Sequence, residues 1–126
     1  MLKALTFAGV LVSSAIITIA QPAQAAPIMI DGRGASKCSE ITVEYASHPT
    51  AVANDMMGWA YGYMTRRNIE RAAGGKTQVN LQTDKFGPKE MVGMMLKFCQ
   101  DQPDVRYYQA VDALFDVLAQ DQGLTS

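Results

Sequence analysis

The sequence predicts a small all-α fold, a compact bundle of about four helices closed by one disulfide. Apolar residues recur at spacings of three and four in three segments that are long enough for helices. Prolines stand at or just before the starts of these segments, where a helix tolerates them. The only two cysteines, Cys38 and Cys99, are far apart in the chain. A helical domain with one long-range crosslink fits all three observations.

Residues 1–25 have the features of a secretion signal. Lys3 supplies a positive start, and residues 5–20 form an apolar run that is short for a membrane span but suited to a signal peptide. Ala23 and Ala25 form the small-x-small pattern that signal peptidase recognises, so we expect cleavage after Ala25 or one residue later. We therefore predict a protein exported to a bacterial periplasm, with no membrane association after cleavage.

Cleavage after Ala25 leaves 101 of the 126 residues, which is the size of one small domain. Residues 26–36 contain a proline and two glycines without lasting periodicity, and we predict an irregular arm there. Residues 37–120 are the predicted helical domain, and residues 121–126 are a C-terminal tail.

Two helices are predicted in the first half of this domain. The run from Cys38 to Tyr45 fits either a short helix or a short strand, and we favour the helix. The longest periodic segment begins at Pro49 and ends at Gly74 and Gly75, which can form a left-handed cap. Its apolar stripe contains Val52, Met56, Trp59 and Tyr63. Its second half is polar, so we expect it to emerge into solvent.

A loop and two further helices are predicted to follow. Residues 76–86 suit either a brief extended segment or a loop, and we assign a loop. A third helix begins after Gly87 and turns Met91, Met95 and Cys99 inward. The last helix covers residues 104–119. Its expected inward residues are Tyr108, Val111, Phe115 and Leu118, and its expected outward residues are Asp112, Asp116 and Gln120.

Cys38 and Cys99 are expected to form an intrachain structural disulfide. Distant cysteines in an exported protein usually crosslink the fold. Closing a loop of about 60 residues stabilises a domain by about 4 kcal/mol in the chain-entropy model. A redox site is the minor alternative, because the chain has no Cys-x-x-Cys pair.

The sequence shows no recognisable catalytic or metal-binding arrangement. His48 is the only histidine, and next to Pro49 we expect it to face water at a helix start. We predict that the protein is not an enzyme and needs no metal or cofactor. Of the 11 Lys and Arg residues only Lys3 lies in the signal, so ten remain against 12 acidic residues, a net charge of −2. That balance gives no reason to expect a nucleic-acid partner.

Methionines are concentrated on two of the predicted helices. They are Met56, Met57, Met64, Met91, Met94 and Met95. Core packing is the simpler interpretation, but flexible, polarizable methionines also suit surfaces that adapt to varied apolar partners. On the second interpretation the client-binding residues are Met56, Trp59, Tyr63, Met91 and Met95. Arg66, Arg67 and Arg71 form either a solvated face or a patch for an acidic partner.

Three sequence features carry a family resemblance. They are Cys38, the run from Trp59 through Gly62 to Tyr63, and the run from Phe98 to Pro103 before an amphipathic helix. With these features the chain resembles the HdeA/HdeB family of periplasmic acid-stress chaperones over about residues 36–119. The resemblance implies a helical fold with one disulfide, a homodimer at neutral pH, and acid-driven dissociation that exposes apolar surface to unfolding clients. Residues 66–76 look like an extension relative to that family.

Gly62-Tyr63 and the stretch from Gln102 to Arg106 are also similar to Tai-type immunity proteins of type VI secretion. Those proteins often carry a further C-terminal cysteine, which this chain lacks. This second resemblance implies tight binding of one specific toxin at neutral pH. A third interpretation is an exported domain whose binding role the sequence does not reveal.

Acid strongly changes the charge of the chain. With every carboxyl protonated, the ten Lys and Arg residues, His48 and the N-terminus carry about +12. Carboxylates that are paired in a native dimer stabilise it at neutral pH, and that stabilisation is lost as the pH falls through their folded pKa values. Our candidates for such a switch lie beside the last helix: Asp101, Asp104, Asp112 and Asp116.

Overall fold

A computed structural model describes residues 29–125. A 3₁₀ turn at Gly32–Ala35 precedes four helices: α1 (Cys38–Ser47), α2 (Pro49–Ala73), α3 (Pro88–Asp101) and α4 (Tyr107–Asp121). Within this span there is no sheet, and β-type pairing is limited to an isolated bridge between Lys37 and Arg106. The predicted all-α class is confirmed. The predicted signal, residues 1–25, and the first three residues of the arm lie outside the described residues.

The helices begin and end where the sequence punctuates them. Pro49 and Pro88 are the first residues of α2 and α3. An amide at this position has no partner within the helix, so a proline there costs no helical hydrogen bond. After α2, Gly75 adopts a φ of 73°, and the Lys76 amide donates to the Arg71 carbonyl over 2.8 Å. This left-handed cap confirms the predicted end of the long helix.

The disulfide joins the start of α1 to the end of α3. Cys38 and Cys99 are bonded within one chain, their Cα atoms lie 4.6 Å apart, and both residues are fully buried. The predicted intrachain pairing is confirmed. Around it the core is closed by large side chains that solvent does not reach: Ile41, Met56, Met64, Met91, Met95, Tyr107, Phe115 and Leu118.

The start of α4 differs from the prediction. The helix begins at Tyr107, three residues later than expected, because the preceding segment pairs with the chain in front of α1. The Cys38 amide donates to the Val105 carbonyl over 2.8 Å, and the Tyr107 amide donates to the Ser36 carbonyl over 2.9 Å. The expected inward residue was also wrong. Tyr107 is fully buried, whereas Tyr108 is only partly buried.

The second half of α2 is mostly exposed to solvent, as predicted, but it is covered at Asn68. Asn68 is only 8% exposed, because the loop that follows α2 folds back over it at Val79. The Asn68 side chain donates to the Val79 carbonyl over 2.7 Å and accepts from the Val79 amide over 2.8 Å. The segment has neither helix nor strand, which confirms the loop assignment. The attachment of this loop to α2 through Asn68 cannot be predicted from the spacing of apolar residues.

Candidate binding groove

An apolar groove of about 740 Å³ runs between α3 and α4 on the outside of the bundle. Phe86, Met94 and Phe98 form the side nearer α3, and Leu114 and Val117 are among the α4 residues that line it. Its remaining lining residues are Lys85, Glu90, Gly93, Lys97, Asp101, Ala110 and Ala113. A concave, mainly apolar site of this volume lies in the range typical of ligand pockets.

The sequence of the two helices explains why a trough forms here. In α3, Met91, Met95 and Cys99 face the core, and this leaves Met94 and Phe98, one turn apart, on the adjacent face. They are half-buried because α4 presents alanines to this part of α3. Small residues opposite large ones leave a depression that neither helix fills.

Gly93 forms the low edge of the groove. A Cβ atom built at Gly93 meets nothing within 4 Å, so no internal contact requires a glycine there. A glycine within a helix costs up to about 1 kcal/mol relative to alanine. The same residue also lines a second groove, of about 460 Å³, which Ala53, Met57 and Val92 help to form. Apolar surface therefore continues across α3 at Gly93.

Four charged residues line the main groove, and three of them, Lys85, Lys97 and Asp101, are in ion pairs. Lys97 lies 2.7 Å from Asp101, one helical turn away, and Lys85 pairs with Asp121. These pairs are largely exposed, and exposed pairs contribute little to stability or affinity. Recognition in this groove must therefore rest on apolar burial, which is non-directional and tolerant of sequence.

The predicted client-binding residues lie elsewhere. Met56, Met91 and Met95 are fully buried in the core. Trp59 and Tyr63 are partly buried on α2, with their rings stacked 5.0 Å apart. None of these five lines the main groove. The sequence does contain a signal for the groove. The apolar face of α3 is too wide to be buried entirely in the core, and Met94 and Phe98 lie at its edge.

The acidic residues proposed as a switch do not form one cluster. Asp112 and Asp116 both bind Arg67, over 3.0 and 3.4 Å, and so tie α4 to α2 within the chain. Asp101 pairs with Lys97, as described above, and Asp104 is exposed in the turn before α4.

Arg67 lies at the centre of this α2–α4 tie. Its guanidinium group is 4.2 Å from the centroid of the Phe115 ring, a cation–π contact. Tyr63 also lies within the electrostatic reach of Asp112 and Arg67. Partial burial, together with the negative charge of Asp112, raises the pKa of Tyr63 to about 12.

The three arginines of the predicted patch are bound within the molecule. Arg66 pairs with Glu70 over 3.1 Å along the helix. Arg71 donates to the Thr77 carbonyl over 2.9 Å and to the Thr125 carbonyl over 2.8 Å. Arg67 is engaged with α4 as described above. Two of the three therefore hold other elements in place, which neither interpretation of the patch foresaw.

Comparison of the chain with protein-family models, with curated proteins and with solved structures finds no significant match. Within residues 29–125, no group of three His, Cys, Asp or Glu residues is arranged to hold a metal ion. In the same span no helix is both long and apolar enough to cross a membrane. The disulfide indicates folding in an oxidising compartment.

Proposed function

We propose that this protein is a small exported binding protein with an HdeA-like chaperone role, which holds apolar segments of unfolded polypeptides. The observation that carries the proposal is the groove between α3 and α4. The walls of the groove are mainly apolar, so it can bind client segments of many different sequences. Met94 adds a side chain that adapts its shape to a varied partner. Nothing in this role requires a catalytic group, a metal or a cofactor.

Export is part of the proposal. Residues 1–25 are taken as a signal peptide and the periplasm as the working compartment, in agreement with the oxidising environment that the disulfide indicates. In strong acid the chain carries about +12, which keeps it soluble while clients lose their structure. Protonation of Asp112 and Asp116 also removes the two anionic partners of Arg67, and this loosens the tie between α2 and α4.

The experiment is light scattering of an acid-sensitive client, taken to about pH 2.5 and then neutralised, with and without the oxidised chain. The wild-type protein is expected to suppress aggregation. Gly93→Lys and Ala113→Lys introduce a charge into the groove that persists in acid, and each is expected to lose most of the suppression. Gly58→Lys is the matched control, because a Cβ atom at Gly58 also meets nothing within 4 Å and Gly58 lies on α2, away from the groove.

Gly58→Lys should suppress aggregation as well as wild type does. No suppression by the wild-type chain at a several-fold excess would sink the chaperone role. If Gly93→Lys and Ala113→Lys both still suppress aggregation, clients do not bind in the groove.

A second candidate is supported by the same groove. It is present in the folded, disulfide-closed molecule, so a specific partner can bind without any prior opening. An immunity protein that binds one type VI secretion toxin would use such a fixed surface. This candidate predicts a nanomolar complex at neutral pH, about −12 kcal/mol of binding free energy, with no gain on acidification. A pull-down at pH 7 that returns a single envelope toxin would favour it over the chaperone role.

A further inference from the structure

Residues 31–35 form a segment that we call the strap. It contains the 3₁₀ turn and ends where the chain is first fixed by backbone hydrogen bonds, at Ser36 and Cys38. Beyond that point the disulfide also holds the chain. Within the described part of the molecule, the hydrogen bonds that tie the strap to the rest of the fold beyond Ser36 all involve a side chain. Such a segment can detach while the helices stay folded.

The strap is held by a charge clamp. Arg33 reaches Asp55 of α2 over 2.5 Å and Glu44 of α1 over 2.6 Å, and its own side chain is only 19% exposed. Burial alone lowers the pKa of Arg33, but hydrogen bonds and charges from Glu44 and Asp55 outweigh it, so the pKa is raised.

Three other charged or titratable groups lie in the strap or beside it. Tyr107 lies within the electrostatic reach of both Arg33 and Asp55, and burial holds its pKa above the ordinary value, so it is neutral. Arg106 donates to the Ala35 carbonyl. Asp31 belongs to the strap itself. The two carboxylates are therefore the anions that retain Arg33.

The strap covers an aromatic surface. Gly34 is buried against Trp59 so closely that a Cβ atom there would lie 2.0 Å from a carbon of the indole ring. Trp59 in turn stacks on Tyr63 and packs against the ring of Tyr107, with centroids 5.8 Å apart. Departure of residues 31–35 would expose the face of Trp59.

We propose that the strap is a charge-operated cover, closed over Trp59 while Glu44 and Asp55 are ionised and opened when both gain protons. Without these carboxylates the partly buried Arg33 is left as a cation with no counter-charge, which is unfavourable until it returns to water. The five residues also regain backbone freedom on release. The proposal goes beyond the groove and does not depend on it, because opening is measured on Trp59 with no client present.

The test uses the fluorescence of Trp59, the only tryptophan in the chain, with acrylamide as a quencher of exposed indole. At pH 7 the oxidised double variant Glu44→Gln, Asp55→Asn is expected to show a red-shifted emission and a clear rise in quenching, with the helical circular dichroism unchanged. The matched control, Asp101→Asn with Asp121→Asn, removes two carboxylates that pair with lysines at the groove. It should behave as wild type. Equal shielding of Trp59 in the clamp variant and wild type would overturn the proposal.

A steric variant tests the same cover without changing charge. Gly34→Ala places a methyl group where the indole ring lies, so the strap cannot close even with Glu44 and Asp55 intact. We expect Trp59 in this variant to be as exposed at pH 7 as in the clamp variant, and to show no further change down to pH 3. If Trp59 stays shielded in Gly34→Ala, or if its emission still shifts in acid as in wild type, the strap is not the cover.

Discussion

The strap and the loop of residues 76–82 both lie irregularly against the helices, but different chemistry holds them. The strap depends on one arginine between two carboxylates. Neutral amides make four of the loop's hydrogen bonds: Asn68 makes two with Val79, and Gln122 makes two with Asn80. Arg71, which stays charged in acid, adds a bond to the Thr77 carbonyl. Amide pairs keep their partners at any pH, whereas a carboxylate loses its charge in acid. The difference indicates that the loop is permanent structure, whereas the strap is a conditional segment, which is held only while its carboxylates are charged.

The largest effect is expected from removing the crosslink that fixes the chain next to the strap. Cys38→Ser with Cys99→Ser should lower the free energy of unfolding by about 4 kcal/mol, because the unfolded chain regains the freedom of a 61-residue closure. Urea denaturation at pH 7 measures it. Reductant should reproduce the loss in wild type and do nothing to the variant, which has no other cysteine. A loss below about 1 kcal/mol would show that packing alone closes the bundle.

The next effect tests the permanent segment. Asn68→Ala should cost about 2–3 kcal/mol, because the buried amide and carbonyl of Val79 both lose their partner. Gln122→Ala is the control, since its equivalent bonds to Asn80 lie in solvent, and it should cost about 1 kcal/mol or less. Thermal or urea unfolding of both variants at pH 7 gives the comparison. If both variants lose the same free energy of unfolding, burial does not make the hydrogen bonds to Val79 more important for stability.

A smaller effect tests the conditional segment. Glu44→Gln with Asp55→Asn should cost at most about 1 kcal/mol at pH 7, since both carboxylates are about half exposed. The difference from wild type should vanish near pH 2.5, where carboxyl groups carry protons in either chain. Urea midpoints of the two proteins at both pH values measure this. A deficit that persists in acid would show that the two carboxylates stabilise the protein by something other than charge.

The smallest effect is expected in alkali, on the strap side of α2. Because the pKa of folded Tyr63 is about 12, above its ordinary value near 10, the stability it contributes is fully present below pH 10. That contribution is lost as the pH rises toward 12, when the phenolate forms beside Asp112. Unfolding midpoints between pH 9 and 12 should therefore fall less steeply in Tyr63→Phe than in wild type. Identical pH profiles would contradict the assigned cause.

Features that depend on nearby residues in the chain could be predicted from the sequence. Pro49, Pro88 and Gly75 mark helix ends by backbone geometry alone, and the structure places those ends as predicted. The pairing of Cys38 with Cys99 followed from their number and the inferred compartment. These inferences need no knowledge of which elements are neighbours.

The features that the sequence did not reveal depend on neighbours. The register of α4 is set by pairing between Ser36 and Tyr107, residues distant in the chain. The buried role of Asn68 depends on a loop that folds back, and hydropathy assigns such a residue to solvent. The groove likewise arises only when Met94 and Phe98 of α3 meet the alanines of α4. The methionines named from the sequence as client-binding, Met56, Met91 and Met95, lie on the buried faces of α2 and α3.

The most direct test of the central claim is methyl NMR of methionine in the oxidised chain, with and without an unfolded client at both neutral and acid pH. Met94 is half-buried in the groove, whereas Met56, Met91 and Met95 are fully buried in the core, so their signals report different sites. Binding in the groove predicts that the client shifts the Met94 methyl resonance first and leaves the core methionines unchanged. Shifts of the core methionines without a shift of Met94 would contradict the groove and show that clients bind an opened core instead.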